Sequence, residues 1–220
     1  MESYLIKKKY EEFIVDGNWN KSEWEKIEPI NLNNYMGSLP EHFPATLFKL
    51  CYTDKALYLI SMVKDKYVLA LAENNFEPVF KDSCVEFFFT AKNKTNSGYF
   101  NLETNCGGTL LFGYRENILQ KSIKVSNRDI AKISLSTTLP KIIKTEIIED
   151  TTWVIEYRLP FEILNEYCKV DVPQKNTVWF ANFYKCADNS SKPHWLTWNK
   201  IEFPEPNFHL PKFFGKIVFE

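Results

Sequence analysis

The chain has 220 residues, 45% of them hydrophobic and 16% aromatic, with 27 Lys and Arg set against 28 Asp and Glu. A net charge of −1 and no basic stripe beyond Lys7-Lys8-Lys9 make nucleic acid and anionic membranes poor partners. No run of about 18 apolar residues offers a membrane-spanning helix.

In chain order, the opening MESYLIKKKYEEF lacks the charged-then-apolar order of a signal peptide, so export is not expected. Residues 17–27 read as a turn and a short helix anchored by Trp19 and Trp24, with Asn20 or Ser22 as cap and Glu23 and Glu25 in the first turn. After an irregular stretch through Pro40 and Pro44, strand signals cover 46–52, 57–63, 84–90, 99–105 and 109–114. A second series covers 130–137, 142–148, 153–159, 178–186 and 216–219. Thr53-Asp54-Lys55, Cys106-Gly107-Gly108 and Glu149-Asp150-Thr151 separate neighbouring runs as hairpin turns. Pro160-Phe161-Glu162-Ile163-Leu164 suits a second short helix with proline in its first turn. Some ten strands without βα alternation predict one all-β domain over 1–220, an antiparallel β-sandwich with one or two short helices.

Cys51, Cys84, Cys106, Cys168 and Cys186 contain no CxxC pair and mostly lie in apolar strand runs. They read as buried free thiols, which favours a reducing, cytoplasmic compartment. Only His42, His194 and His209 are present, far apart, which argues against a zinc site.

The most informative stretch lies at 79–113. Alternation puts Tyr99, Asn101, Glu103 and Asn105 on one face and Phe100, Leu102 and Thr104 on the other. On the preceding strand Glu86 shares a face with Cys84 and Phe88, opposite Val85, Phe87 and Phe89. A polar row of this kind suits a polyhydroxylated ligand, because sugars are held by flat aromatic rings and by planar polar side chains that bond hydroxyls. Phe76, Phe80 and Lys81-Asp82 precede the Glu86 strand, and Trp195, Trp198, Phe203 and Phe208 populate the long loop 186–212, where binding residues commonly reside. Each also has a structural reading. Trp195 and Trp198 could cap the core, and Glu86 could accept bonds from backbone or from an arginine such as Arg158. Asn101 and Glu103 could face solvent, and Lys81-Asp82 could be a turn with a surface pair.

The blocks DGNWNKSEWEKIEPINL, VFKDSCVEFFFT, GYFNLETNCGGTLL, WVIEYRLPFEIL, WFANFYKC and FHLPKFFGKIVF together resemble family 9 carbohydrate-binding modules, and more closely the family 9-like single-domain proteins of gut and soil bacteria. The resemblance runs from about residue 15 to residue 219. It implies a jelly-roll or immunoglobulin-like sandwich that binds sugars, often chain ends, without catalysis and as an accessory to glycan degradation. It also implies two rings clamping the terminal sugar: Phe80, six residues before Glu86, and Phe208, before Pro211 and Phe214-Gly215. Glu86 matches the hydroxyl-bonding acid, and Asn101 and Glu103 the polar strand after it. Both clamp positions hold Phe where the family usually has Trp, and Asn101 stands where a cationic donor is more common.

The expected ligand set is therefore Phe80, Lys81, Asp82, Glu86, Asn101, Glu103, Trp195, Trp198 and Phe208, in a monomer with no catalytic residue and no cofactor. Some relatives bind structural calcium, but Asp54 and Asp65 lack ligand-loop spacing. Three other readings remain: a glycoside hydrolase using Glu86 and Glu103, a haem module using Met36 or Met62, and an interaction module with a degenerate sugar site.

Overall fold

A computed structural model describes residues 1–220. The strands are β1 (Ser3–Lys8), β2 (Ile30–Asn31), β3 (Asn34–Tyr35), β4 (Ala45–Tyr52), β5 (Ala56–Asp65), β6 (Val68–Ala70), β7 (Cys84–Thr90) and β8 (Tyr99–Asn105). They continue with β9 (Leu110–Arg115), β10 (Ile123–Lys124), β11 (Ser134–Thr137), β12 (Ile143–Ile147), β13 (Thr151–Pro160), β14 (Val178–Cys186), β15 (Trp195–Thr197) and β16 (Gly215–Phe219). Three short helices, α1 (Ser22–Glu25), α2 (Asn127–Ile130) and α3 (Phe161–Tyr167), punctuate them. No helix is long and apolar enough to cross a membrane.

One layer runs β10-β9-β8-β7-β14-β16 and the other β11-β13-β5-β4, giving a β-sandwich. Strand β1 belongs to both. Its residues Ser3 to Ile6 pair in parallel with β16, and Lys7 and Lys8 pair in parallel with β4. These two ladders make an otherwise antiparallel fold mixed, and they stitch the layers along one side.

Aromatic residues fill the space between the layers. Phe87 stacks on Phe183 at 5.0 Å, Phe89 stacks on Trp179 at 5.8 Å, and Phe48 of the opposite layer meets Phe183 at 5.1 Å. Burying each such ring contributes about 1.5–3 kcal/mol. Strand β7 is buried along its whole length, because Val85, Phe87 and Phe89 face this core while Cys84, Glu86 and Phe88 lie under the loop 186–212 on the outer side.

Four local expectations are corrected. The cap of α1 is Lys21, with no side-chain bond. The helix is held instead by Trp24 Nε1, which donates to Glu156 Oε1 at 2.8 Å. Within 130–137 the strand begins only at Ser134, because Ser126 accepts from Asp129 N and caps α2. Glu149-Asp150-Thr151 is no hairpin turn, because β13 already has β5 and β11 on its two edges and β12 pairs with β6. Arg158 donates to Glu12 Oε1 at 2.7 Å, away from Glu86.

Candidate functional site

The outer face of β7, β8, β9 and β14, with the loop that follows β14, encloses a cavity of about 400 Å³. Register builds its floor. Glu86 stands opposite Glu103, Phe88 opposite Asn101, and Asn101 opposite Gly113. Gly113 leaves room there, since a Cβ would displace Ser122 Oγ and crowd Asn101 Oδ1. Phe80, Trp195 and Phe208 supply aromatic wall. Phe208 lies flat on Tyr184, with centroids 4.0 Å apart and planes 7° apart, so one ring face is already covered. Trp195 is half-buried and fixed by its Nε1, which donates to Asp188 Oδ1 at 2.8 Å.

The polar groups are largely held by one another. Asn101 Nδ2 donates to Glu103 Oε1 at 2.9 Å, Cys186 Sγ donates to Glu86 Oε1 at 3.1 Å, and Tyr99 OH lies 2.9 Å from His209 Nδ1. Arg115 also lines the cavity, and its buried Nε has no partner.

Burial dominates the titration of the site. It raises Glu86 well above the usual carboxylate range, assisted by Cys186 and Glu103. Glu103 is pushed up to about 7 by burial, against the opposing pull of the Asn101 hydrogen bond and Arg115. Asp188 is raised by burial, and His209 is lowered to about 4 by burial and Arg115. A neutral carboxyl group both donates and accepts, as a hydroxyl does, so this floor suits a neutral polyol.

Phe80, Glu86, Asn101, Glu103, Trp195 and Phe208 thus meet at one cavity, whereas Lys81, Asp82 and Trp198 lie outside it. Lys81 is the exposed last residue of a 3₁₀ turn. Asp82 is buried, and its Oδ2 accepts from Leu71 N, Ala72 N and Asn105 Nδ2, which fixes the chain between β6 and β7. Trp198 packs edge-on against Phe183 at 5.5 Å in the main core. Of the other residues weighed, Asp54 pairs with Lys8, and Asp65 is engaged by His42, Trp153 and Lys185. Met36 and Met62 pack in separate apolar clusters.

Arg115, Asp188, Asn207 and His209 also line the cavity and were not among the expected ligand residues. Arg115 was within reach of the sequence, because extending the alternation of β9 by one residue puts it on the same face as Leu111 and Gly113. Arg115 thus stands on β9, the strand paired with the polar row of β8. Asp188, Asn207 and His209 lie in irregular chain, where no periodicity points to the pocket.

Fold and pocket together define a ligand-binding β-sandwich. The model of carbohydrate-binding family 9 matches residues 13–219, and the chain belongs to that family. Among solved structures it is similar to a candidate carbohydrate-binding protein from Bacteroides uniformis ATCC 8492, with 26% identity, a TM-score of 0.89, and 100% of this chain and 99% of that one covered. It is also similar in fold to a family 9 carbohydrate-binding module from Caldicellulosiruptor kristjanssonii. In complex with cellotriose that module gives 17% identity and a TM-score of 0.64, with 100% of this chain and 94% of that one covered. In complex with glucose it gives 18% identity and a TM-score of 0.64, with 98% and 95% covered. No curated protein matches the chain.

Proposed function

We propose that the protein is a non-catalytic carbohydrate-binding module that holds one or two sugar units, accessory to glycan degradation. The observation that carries this reading is a cavity of about 400 Å³ in which the rings of Phe80, Trp195 and Phe208 stand over Glu86, Asn101, Glu103 and Arg115. The volume falls at the lower end of the range for small-ligand pockets. Aromatic faces against C–H groups and planar polar groups against hydroxyls are the two devices that sugar recognition needs. Membership of the family, and the cellotriose and glucose held by the Caldicellulosiruptor module, support the same ligand class.

Catalysis is disfavoured by the titration of the two acids. Burial raises both Glu86 and Glu103, whereas hydrolysis needs one carboxylate of the pair ionised as base or nucleophile. Calorimetric titration with glucose, cellobiose and cellotriose, backed by a glycan array, tests the reading. Weak enthalpy-driven binding is expected, reduced at least tenfold in Phe80→Ala and in Trp195→Ala, with no release of reducing ends. Silence across the array would remove it.

A further inference from the structure

Beneath the aromatic walls, β7 and β14 pair with Cys84 directly opposite Cys186 and Glu86 opposite Tyr184. Opposed residues, and residues two apart, share a face. Cys84, Cys186 and Glu86 therefore converge on the outer side of the sheet, and Glu86 and Cys186 reach the cavity itself. The two sulfurs and a Glu86 carboxylate oxygen lie within 4.8 Å of one another, and Cys186 Sγ is 3.1 Å from Glu86 Oε1. Glu86 is 2% exposed, and the weak thiol bond is the one hydrogen bond it has. Its charged neighbours, Glu103 and Asp188, are acidic too, so a buried carboxyl aimed into the pocket lacks a countercharge.

We propose that Cys84, Cys186 and Glu86 form a site for one borderline-soft divalent cation, zinc above all, whose fourth position opens on the cavity. The spacing suits it. Tetrahedral zinc, with bonds of about 2.3 Å to sulfur and about 2.0–2.2 Å to oxygen, needs donors roughly 3.5–4 Å apart, within small side-chain adjustments of those present. Binding breaks two S–H bonds and releases their protons, together with the carboxyl proton, to solvent. Two thiolates and a carboxylate then surround a dication and leave a net charge of −1. The sulfur donors select against calcium and magnesium. Three protein ligands and an open fourth position leave room for water or a ligand hydroxyl. The two cysteines are far apart in sequence and outside any CxxC pair, so only the β7–β14 register reveals them as partners.

Cobalt titration of the full chain, kept reduced with a phosphine and freed of metal beforehand, tests the site. One equivalent is expected to give a thiolate-to-cobalt charge-transfer band with intense tetrahedral visible bands, both erased by one equivalent of zinc. Cys84→Ser and Cys186→Ser should each weaken cobalt binding at least tenfold and reduce the charge-transfer band, and Cys168→Ser should leave it unchanged. Glu86→Gln should weaken binding while keeping the sulfur band, and it decides the matter if the serine variants fail to fold by circular dichroism. No sulfur band, an unchanged band in Cys84→Ser, unweakened binding in Glu86→Gln, or a Cys84–Cys186 disulfide that survives the reductant would each overturn the site. Sugar titrations on metal-free protein stand apart from it, so either reading can fail alone.

Discussion

Glu156 shows how much of the N-terminal segment hangs on one side chain. It is fully buried, and its Oε2 accepts from Asp16 N at 2.9 Å, Gly17 N at 2.8 Å and Lys21 Nζ at 2.8 Å, while Oε1 takes the Trp24 indole. A carboxylate can accept all of these at once, whereas an amide has one accepting oxygen and would turn a nitrogen towards donors. Glu156→Gln should therefore cost about 2–4 kcal/mol, the scale of a buried charged hydrogen-bond network losing an acceptor. Urea unfolding checks this, and a loss under about 0.5 kcal/mol would mean that water or a neighbour replaces the acceptor.

At the scale of elements, the strands legible in the sequence are the apolar and aromatic runs bounded by turn residues. The expected 84–90, 99–105 and 178–186 coincide with β7, β8 and β14, whose core faces carry Phe87 and Phe89, Phe100 and Leu102, and Trp179 and Phe183. The polar row on β8 and the partnership of Glu86 with Glu103 follow from that parity alone. Strand β1 was illegible, because Lys7-Lys8-Lys9 hides the pattern and parallel pairing needs partners remote in sequence. Its facing is nonetheless sharp: Ile6 is fully buried in the main core, and Leu5 is 49% exposed. Ile6→Ala should cost about 2–5 kcal/mol and Leu5→Ala under about 1 kcal/mol. Similar costs at the two positions in chemical denaturation would contradict the bridging register. The pocket's loop residues escaped the sequence for another reason, since tertiary packing rather than local periodicity places Asp188 and His209.

For the whole molecule, a polar cross-link joins the two layers. Asp65 of β5 accepts from the Trp153 indole of β13 at 3.2 Å and lies 3.3 Å from Lys185 Nζ of β14. Burial alone would raise Asp65, but Lys185 and His42 hold it at about 2. His194 completes the network. Its Nε2 lies 2.8 Å from Lys185 Nζ and its Nδ1 lies 2.9 Å from Lys192 O, so Nε2 accepts, Nδ1–H donates, and the ring stays neutral. Burial and Lys185 accordingly lower His194 from 6.5 to about 3.

The sign of its effect on stability follows from linkage. As pH falls below 6.5 the unfolded histidine takes up a proton that the folded one refuses until about 3, so stability is lost towards acid at about 1.4 kcal/mol per pH unit. His209, lowered to about 4, acts in the same direction. Glu103, raised to about 7, and Glu86, raised well above the usual carboxylate range, act oppositely, contributing stability that is present in acid and lost as pH rises through their folded values. The overall pH profile therefore mixes two signs, and a paired measurement separates them. The stability lost in His194→Gln should be about 2 kcal/mol smaller at pH ~5 than at pH ~7, because the wild type alone carries the proton penalty. Urea unfolding of both proteins at the two pH values measures the gap. A gap independent of pH would show that the folded imidazole titrates as the unfolded one does, and a loss larger at pH ~5 than at pH ~7 would show that it is protonated in the fold and that Lys185 does not donate to it.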